Sequence, residues 1–203
     1  MADRGLLIDW GGVLTNSLFD SFTVWFRSIG LTEEDVRSVF RNRPAARDAL
    51  IAMETGEMDE SEFEVIFARS LELESHEGVV DGLMAKLAPD TEMQRAVERA
   101  RAAGVRTGLI SNSWGTHRYG EEMLSRLFDI TVISGVEGVR KPSPRIYEIA
   151  IERMAMPPSE CIFVDDLEMN LGPAKELGMA TVLHRSAQQT IPELEQFLDV
   201  SLS

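Results

Sequence analysis

Hydrophobic positions in this chain follow two periods, and the switches between them divide it. Near the start, Leu6-Leu7-Ile8 is a continuous apolar run between Gly5 and Asp9. Such a run, bounded by glycines, predicts a short strand buried on both faces, with Asp9 at its carboxyl end. From residue 16 the spacing becomes helical. Phe19, Phe22, Phe26 and Ile29 recur every three or four residues, and Gly30 stops them. Thr32-Glu-Glu-Asp35 has the form of a capping box ahead of Val36, Val39 and Phe40. Leu50 to Met53 ends a further helix, terminated by Gly56, and Asp59-Glu-Ser-Glu62 caps one carrying Phe63, Ile66, Phe67 and Leu71. No strand-like alternation interrupts residues 16–88, so they read as a small helical bundle.

From Pro89 strands and helices alternate. Helices over Thr91–Ala103, Glu121–Leu127, Pro144–Met154 and Pro173–Leu177 separate strands over Val105–Ser111, Ile130–Ser134, Cys161–Asp166 and Ala180–Leu183. Ser186–Thr190 reads as a polar connector before a last helix, Pro192–Leu198. This alternation predicts an α/β fold, a doubly wound parallel sheet covered on both faces. The expected division is a core of residues 1–15 and 89–203 with a helical cap, 16–88, inserted at the sheet's carboxyl edge, where it can cover Asp9.

Composition narrows the partners. The 203 residues are 44% hydrophobic and carry a net charge of -14. That balance argues against nucleic acid or anionic membrane, which both select basic patches. There is no apolar run of about 18 residues, and Met-Ala-Asp-Arg-Gly at the start has no apolar signal core. The single cysteine, Cys161, sits in an apolar run and is expected as a buried thiol. These features fit a cytoplasmic protein, monomeric or homodimeric.

Chemistry concentrates at the carboxyl ends of the strands, where open parallel sheets bind ligands. Asp9, Ser111 with Asn112, Lys141 in Arg140-Lys-Pro-Ser-Pro144, and Asp165-Asp166 all fall on that edge. Any one of them alone is a turn, a cap or a surface lysine. Together they compose a phosphoryl-transfer site. A carboxylate attacks phosphorus, magnesium is held by carboxylates and a backbone carbonyl, and a lysine, a hydroxyl and N–H groups neutralise the phosphoryl oxygens. Gly11 and Gly12 let the backbone approach a charged ligand closely.

In these segments the chain resembles the haloacid dehalogenase-like hydrolase superfamily. Asp9-Trp-Gly-Gly-Val-Leu, Leu109-Ile-Ser111-Asn112, Lys141-Pro-Ser-Pro-Arg-Ile-Tyr147 and Val164-Asp165-Asp166-Leu-Glu-Met-Asn170 are similar to its four motifs. Asp166 to Met179 and Ser111-Asn-Ser-Trp114 are similar to the branch containing the phosphatase domain of mammalian soluble epoxide hydrolase. The resemblance implies a phosphatase of small phosphorylated metabolites with Asp9 as nucleophile. It implies that Ser111, Asn112, Lys141, Gly11 and Gly12 bind the phosphoryl group. Magnesium would be held by Asp9, the Gly11 carbonyl, Asp166 directly, and Asp165 through water or as a second ligand.

One departure stands out. Where the family's phosphatases carry a second Asp as general acid and base, this chain has Gly11. Without that proton donor, aryl, acyl or anomeric phosphates are the expected substrates, and alkyl phosphates poor ones. Three rival readings follow: a metal-independent dehalogenase, a hydrolase using a cap lysine as Schiff base, or a decayed site that only binds phosphate or a partner. The acidic pair argues against the first. The second needs a cap lysine, and Lys86 lies at the cap's far end. Arg37, Arg41, Arg43 and Arg47 are open between a second anion contact and a solvated helix face.

Overall fold

The computed structural model describes residues 4–202; the reading of the first residues falls partly outside them. Five strands form one parallel sheet in the order β3-β2-β1-β4-β5. They are β1 Gly5–Ile8, β2 Arg106–Ser111, β3 Ile130–Ile133, β4 Cys161–Asp165 and β5 Ala180–Leu183. The helices are α1 Leu18–Ser28, α2 Glu33–Asn42, α3 Pro44–Glu54, α4 Glu60–Ser70, α5 Val79–Met84, α6 Thr91–Ala102, α7 Glu121–Leu127, α8 Ser134–Glu137, α9 Pro144–Met154, α10 Glu168–Glu176 and α11 Ala187–Leu198.

The continuous apolar run of β1 follows from its place at the centre. Leu6 and Ile8 join the cluster with Met93, Val97, Ile191 and Leu194 on one face. Leu7 points the other way, into Ile146, Tyr147, Met154 and Phe163. Successive strand residues face opposite sides, so a strand with helices on both faces has no polar position to offer. Chain order reverses on either side of β1, and β1 pairs with β2 and β4. Ile8 lies level with Leu109 and Val164, which sets Asp9 beside the ends of both neighbours. This is the switch point where such sheets bind ligands.

Helices α1–α5 lie between β1 and β2 in sequence and have their own apolar cluster of Phe22, Phe26, Phe63, Phe67, Val80 and Leu83. The expected capping boxes form at Thr32–Asp35 and Asp59–Glu62. The two chain crossings into this block run side by side. Thr15 bridges Pro89, and Asn16 exchanges hydrogen bonds with Lys86 and Ala88. Trp114, from the loop after β2, reaches up into the helical cluster, with ring centroids 5.1 Å from Phe22 and 5.9 Å from Phe63.

Two helices begin earlier than their prolines suggest. Pro173 and Pro192 read as first-turn residues, yet α10 starts at Glu168 and α11 at Ala187. A proline inside a helix leaves the carbonyl four residues back without its N–H partner. Here those carbonyls belong to Met169 and Gln188, both exposed, where water can serve them. Ser134, expected at the end of β3, instead opens the short α8. Cys161 is buried, and burial pushes its thiol up to about 11.

Candidate active site

Asp9 leaves β1 through a hydrogen bond from its N–H to the Val164 carbonyl at 2.9 Å. Its Oδ1 accepts from the Trp10 N–H at 2.7 Å and lies 2.8 Å from Lys141 Nζ. Lys141, fully buried, also reaches Asp165 Oδ2 at 2.7 Å. Burial opposes the ammonium charge, but Asp9 and Asp165 outweigh it and hold Lys141 above the ordinary lysine value. The loop carrying Lys141 is clamped by Asn112, whose Oδ1 accepts from the Lys141 N–H at 2.8 Å while its Nδ2 donates to the Lys141 carbonyl at 3.2 Å.

The acidic pair divides in two. Asp165 accepts from the Leu167 N–H at 2.9 Å and from Asn170 Nδ2 on both oxygens, besides Lys141. It is held from every side within the protein. The Asp166 carboxylate makes no such contacts among the described residues and lines the cavity. Gly12 explains how close it can come: a Cβ there would sit 2.3 Å from Asp166 Oδ2. Gly12 takes φ +76, a conformation natural to glycine, and its N–H is engaged by Thr15 Oγ1 at 3.1 Å. Its part in this geometry is therefore clearance for Asp166; its amide is turned inward.

Asp9, Asp165 and Asp166 place ligand oxygens within 4.8 Å of one another. Burial pushes Asp9 up to about 8 against the pull of Lys141, with Asp165 and Asp166 adding to the rise. Burial and then Asp165 push Asp166 up to about 6. Three crowded carboxylates facing one lysine leave an excess of negative charge. A hard divalent cation, which takes carboxylate oxygens, relieves it. The donor set fits magnesium.

Ser111, at the end of β2, shares a 2.8 Å hydrogen bond with the Tyr119 hydroxyl. Above these groups lies a cavity of about 290 Å³. Its floor is Asp9, Gly11, Ser111, Asn112, Lys141 and Asp166. Its roof is Leu18, Phe19, Phe22, Phe40 and Leu50 from the helical block, with Trp114 beside them. Phe26 is wholly interior to the bundle, whereas Phe19 and Phe22 both pack in it and face the cavity. None of the four arginines of the helical block lines it. Arg37 pairs with Glu33 and lies over the Phe19 ring, Arg41 faces Glu34, Arg43 faces Glu72, and Arg47 faces Asp48.

Two charged wall residues lack any earlier assignment. Glu54, at the end of α3, is 5% exposed, and its Oε2 lies 2.6 Å from Arg140 Nε. Its backbone carbonyl also accepts from Ser134 Oγ. Burial pushes Glu54 up to about 7 against Arg140 and Lys141. In the sequence, the signal was a single carboxylate closing an apolar helix just before Thr-Gly, and an arginine next to the motif lysine.

A family model described as haloacid dehalogenase-like hydrolase matches residues 4–178. The chain is 29% identical over 120 residues to rat "Bifunctional epoxide hydrolase 2", covering 56% of this chain but only 22% of that much longer protein. It is 30% identical over 210 residues to a phosphatase of Mycobacterium tuberculosis, covering 93% of this chain and 90% of the relative. Among solved structures, a mutant of a HAD-family enzyme from Bacteroides thetaiotaomicron, crystallised with magnesium and inorganic phosphate, superposes with a TM-score of 0.70. It is 22% identical and covers 91% of this chain and 95% of its own.

Proposed function

The chain belongs to the haloacid dehalogenase-like hydrolase family, and from that premise we propose that it is a magnesium-dependent phosphatase of small phosphomonoesters with Asp9 as nucleophile. The observation that carries this reading is the cluster of Asp9, Asp165 and Asp166 around Lys141 at the sheet's switch point. The name of the Mycobacterium relative and the ligands of the Bacteroides enzyme support the same reaction class.

The residues divide the work as follows. Asp9 presents Oδ2, which accepts no hydrogen bond among the described residues, to phosphorus. Attack forms an aspartyl-phosphate and splits one displacement into two. Lys141 neutralises charge on Asp9 and on the phosphoryl oxygens, and Ser111 Oγ, oriented by Tyr119, donates to one of them. Asn112 fixes the Lys141 backbone, so it positions the cation instead of binding phosphate through its side chain. Asp166, Asp9 and the Gly11 carbonyl would hold magnesium, with Asp165 behind them acting through Lys141, Asn170 and water. The metal, when bound, supplies charge neutralisation at the transferring phosphoryl group. The helical block serves as a cap. Its apolar roof favours an ester whose body is uncharged and largely apolar over a second anion.

The experiment is a melting series followed by a substrate panel. Magnesium alone should raise the melting temperature, and fluoroberyllate, which mimics the aspartyl-phosphate, should raise it further. A panel of phosphomonoesters with magnesium should then show turnover. No shift with either addition, and no turnover, identifies a decayed module; haloacid turnover without metal identifies a dehalogenase.

A further inference from the structure

We infer that Glu54, carried by the cap, is the proton-transferring residue of this site, doing from the roof what a carboxylate at position 11 does elsewhere in the family. The inference rests on the phosphatase reading above and concerns the leaving group.

Position 11 carries no side chain, and the space beside it is taken by Leu18. A Cβ on Gly11 would meet Leu18 Cδ1 at 2.4 Å, so an apolar residue of α1 fills the space where the acid would project. The proton must come from elsewhere. Three carboxylates line the cavity: Asp9, Asp166 and Glu54. Asp9 is the nucleophile and Asp166 belongs with the metal, which leaves Glu54.

Its setting suits the task. Glu54 is buried, and its Oε2 is held in a 2.6 Å ion pair with Arg140 Nε. The other oxygen, Oε1, accepts no hydrogen bond among the described residues and can bond a substrate oxygen or a water. Arg140 directly precedes Lys141, so the loop that brings the lysine to Asp9 also fixes Glu54. Ser134 holds the Glu54 carbonyl from α8. The charged or titratable groups facing it are Arg140 and Lys141 from that loop and Tyr119 from the segment after β2. No charged residue of α2, α4 or α8, which pack on α3, lines the cavity. A carboxyl that titrates near 7 is matched to both donating and accepting a proton at neutral pH.

The steps balance. As Asp9 Oδ2 bonds phosphorus and the bond to the ester oxygen breaks, the Glu54 proton passes to that oxygen and the alcohol leaves. Water then attacks phosphorus, its proton passes to the Glu54 carboxylate, and phosphate departs with Asp9 and Glu54 restored.

The test compares Glu54→Gln and Glu54→Asp with the wild type, with magnesium, on alkyl phosphates and on p-nitrophenyl phosphate. Glu54→Gln should lower kcat on alkyl phosphates by about a hundred- to ten-thousand-fold. In the first turnover it should barely change the burst of p-nitrophenol, which leaves unaided. Acid quenching should then trap phosphorylated enzyme, since the second step has lost its base. Glu54→Asp should recover part of the alkyl activity. Should either variant fail to fold, the wild type alone decides: its plot of log kcat against leaving-group pKa should be shallow below pH 7 and steepen above it. Equal first-turnover losses on both ester classes, or a slope independent of pH and of residue 54, would make Glu54 a clamp only and overturn the assignment. Wild-type inertness toward every phosphomonoester would instead fail the phosphatase reading, and this assignment with it.

Discussion

The floor and the roof of the cavity are built differently. On the floor, the polar side chains other than Asp166 are held by hydrogen bonds or ion pairs: Lys141 to Asp9 and Asp165, Asn112 to both sides of the Lys141 peptide, Ser111 to Tyr119, and behind them Asp165 to Leu167 and Asn170. On the roof, Leu18, Phe19, Phe22, Phe40 and Leu50 meet the cavity through packing alone, and Glu54 is the one roof residue ionically tied to the floor. A hydrogen-bonded floor is rigid and specifies one geometry. An apolar roof is non-directional and can be recontoured by changes of size and shape. On the proposed reading, attack and charge neutralisation belong to the sheet, while the insertion brings the apolar roof and Glu54.

The largest break in that comparison is Asp9→Asn. Loss of the nucleophile should lower turnover by at least about 10⁴-fold, read as phosphate release with magnesium, while circular dichroism stays unchanged. The same variant tests the electrostatics. Asp9 is raised to about 8 and Asp166 to about 6 without metal, so between the ordinary carboxylate value and those values the folded state binds more protons than the unfolded. The contribution of these two groups to metal-free stability is then greatest at low pH and falls as pH rises from about 4 through 8. Asp9→Asn should flatten that fall in a melting series. An unchanged slope would mean that Asp9 is not crowded as described.

Next come the roof phenylalanines. Phe26, wholly buried in the bundle, should cost about 3–5 kcal/mol as Phe26→Ala, measured by denaturant unfolding, and its folded fraction should keep its KM. Phe22→Ala should cost less and raise KM, because one side of its ring faces the substrate. Identical behaviour of the two would erase the distinction between bundle core and cavity wall.

The smallest effect sharpens the contrast most. Restoring the carboxylate as Gly11→Asp should give little by itself, since Leu18 fills the space. Combined with Leu18→Ala, it should raise alkyl-phosphate turnover in the Glu54→Gln background, seen as a flatter dependence on leaving-group pKa. A full gain from Gly11→Asp alone would show that Leu18 yields freely.

Much of the floor was legible in the chain because each of its residues sits at the end of an apolar strand or next to one. A parallel strand fixes where its last residue lies, so Asp9, Ser111 and Asp165 could be placed on one edge before any contact was known. Helix limits were legible where caps were explicit, as at Thr32 and Asp59, and failed at Pro173 and Pro192. There the same residue serves a helix start or an exposed helix interior, and only the solvent around Met169 and Gln188 decides. Gly12 looked like a phosphate-binding glycine; Thr15, three residues on, takes its N–H.

What the sequence determined alone is therefore the order of strands and helices, the buried thiol at Cys161, and the identity of the groups at the sheet edge. These depend on periodicity and on chain neighbours, both local. The tertiary structure decided that Leu18 fills the space beside Gly11, that Glu54 meets Arg140, that Asn112 holds Lys141, and that the cap arginines turn to their own acids. Each of the first three joins residues from about 7 to 86 positions apart, and none carries a period or spacing in the chain. Their meeting is fixed by how the helical block packs over the sheet, which is a property of the folded whole.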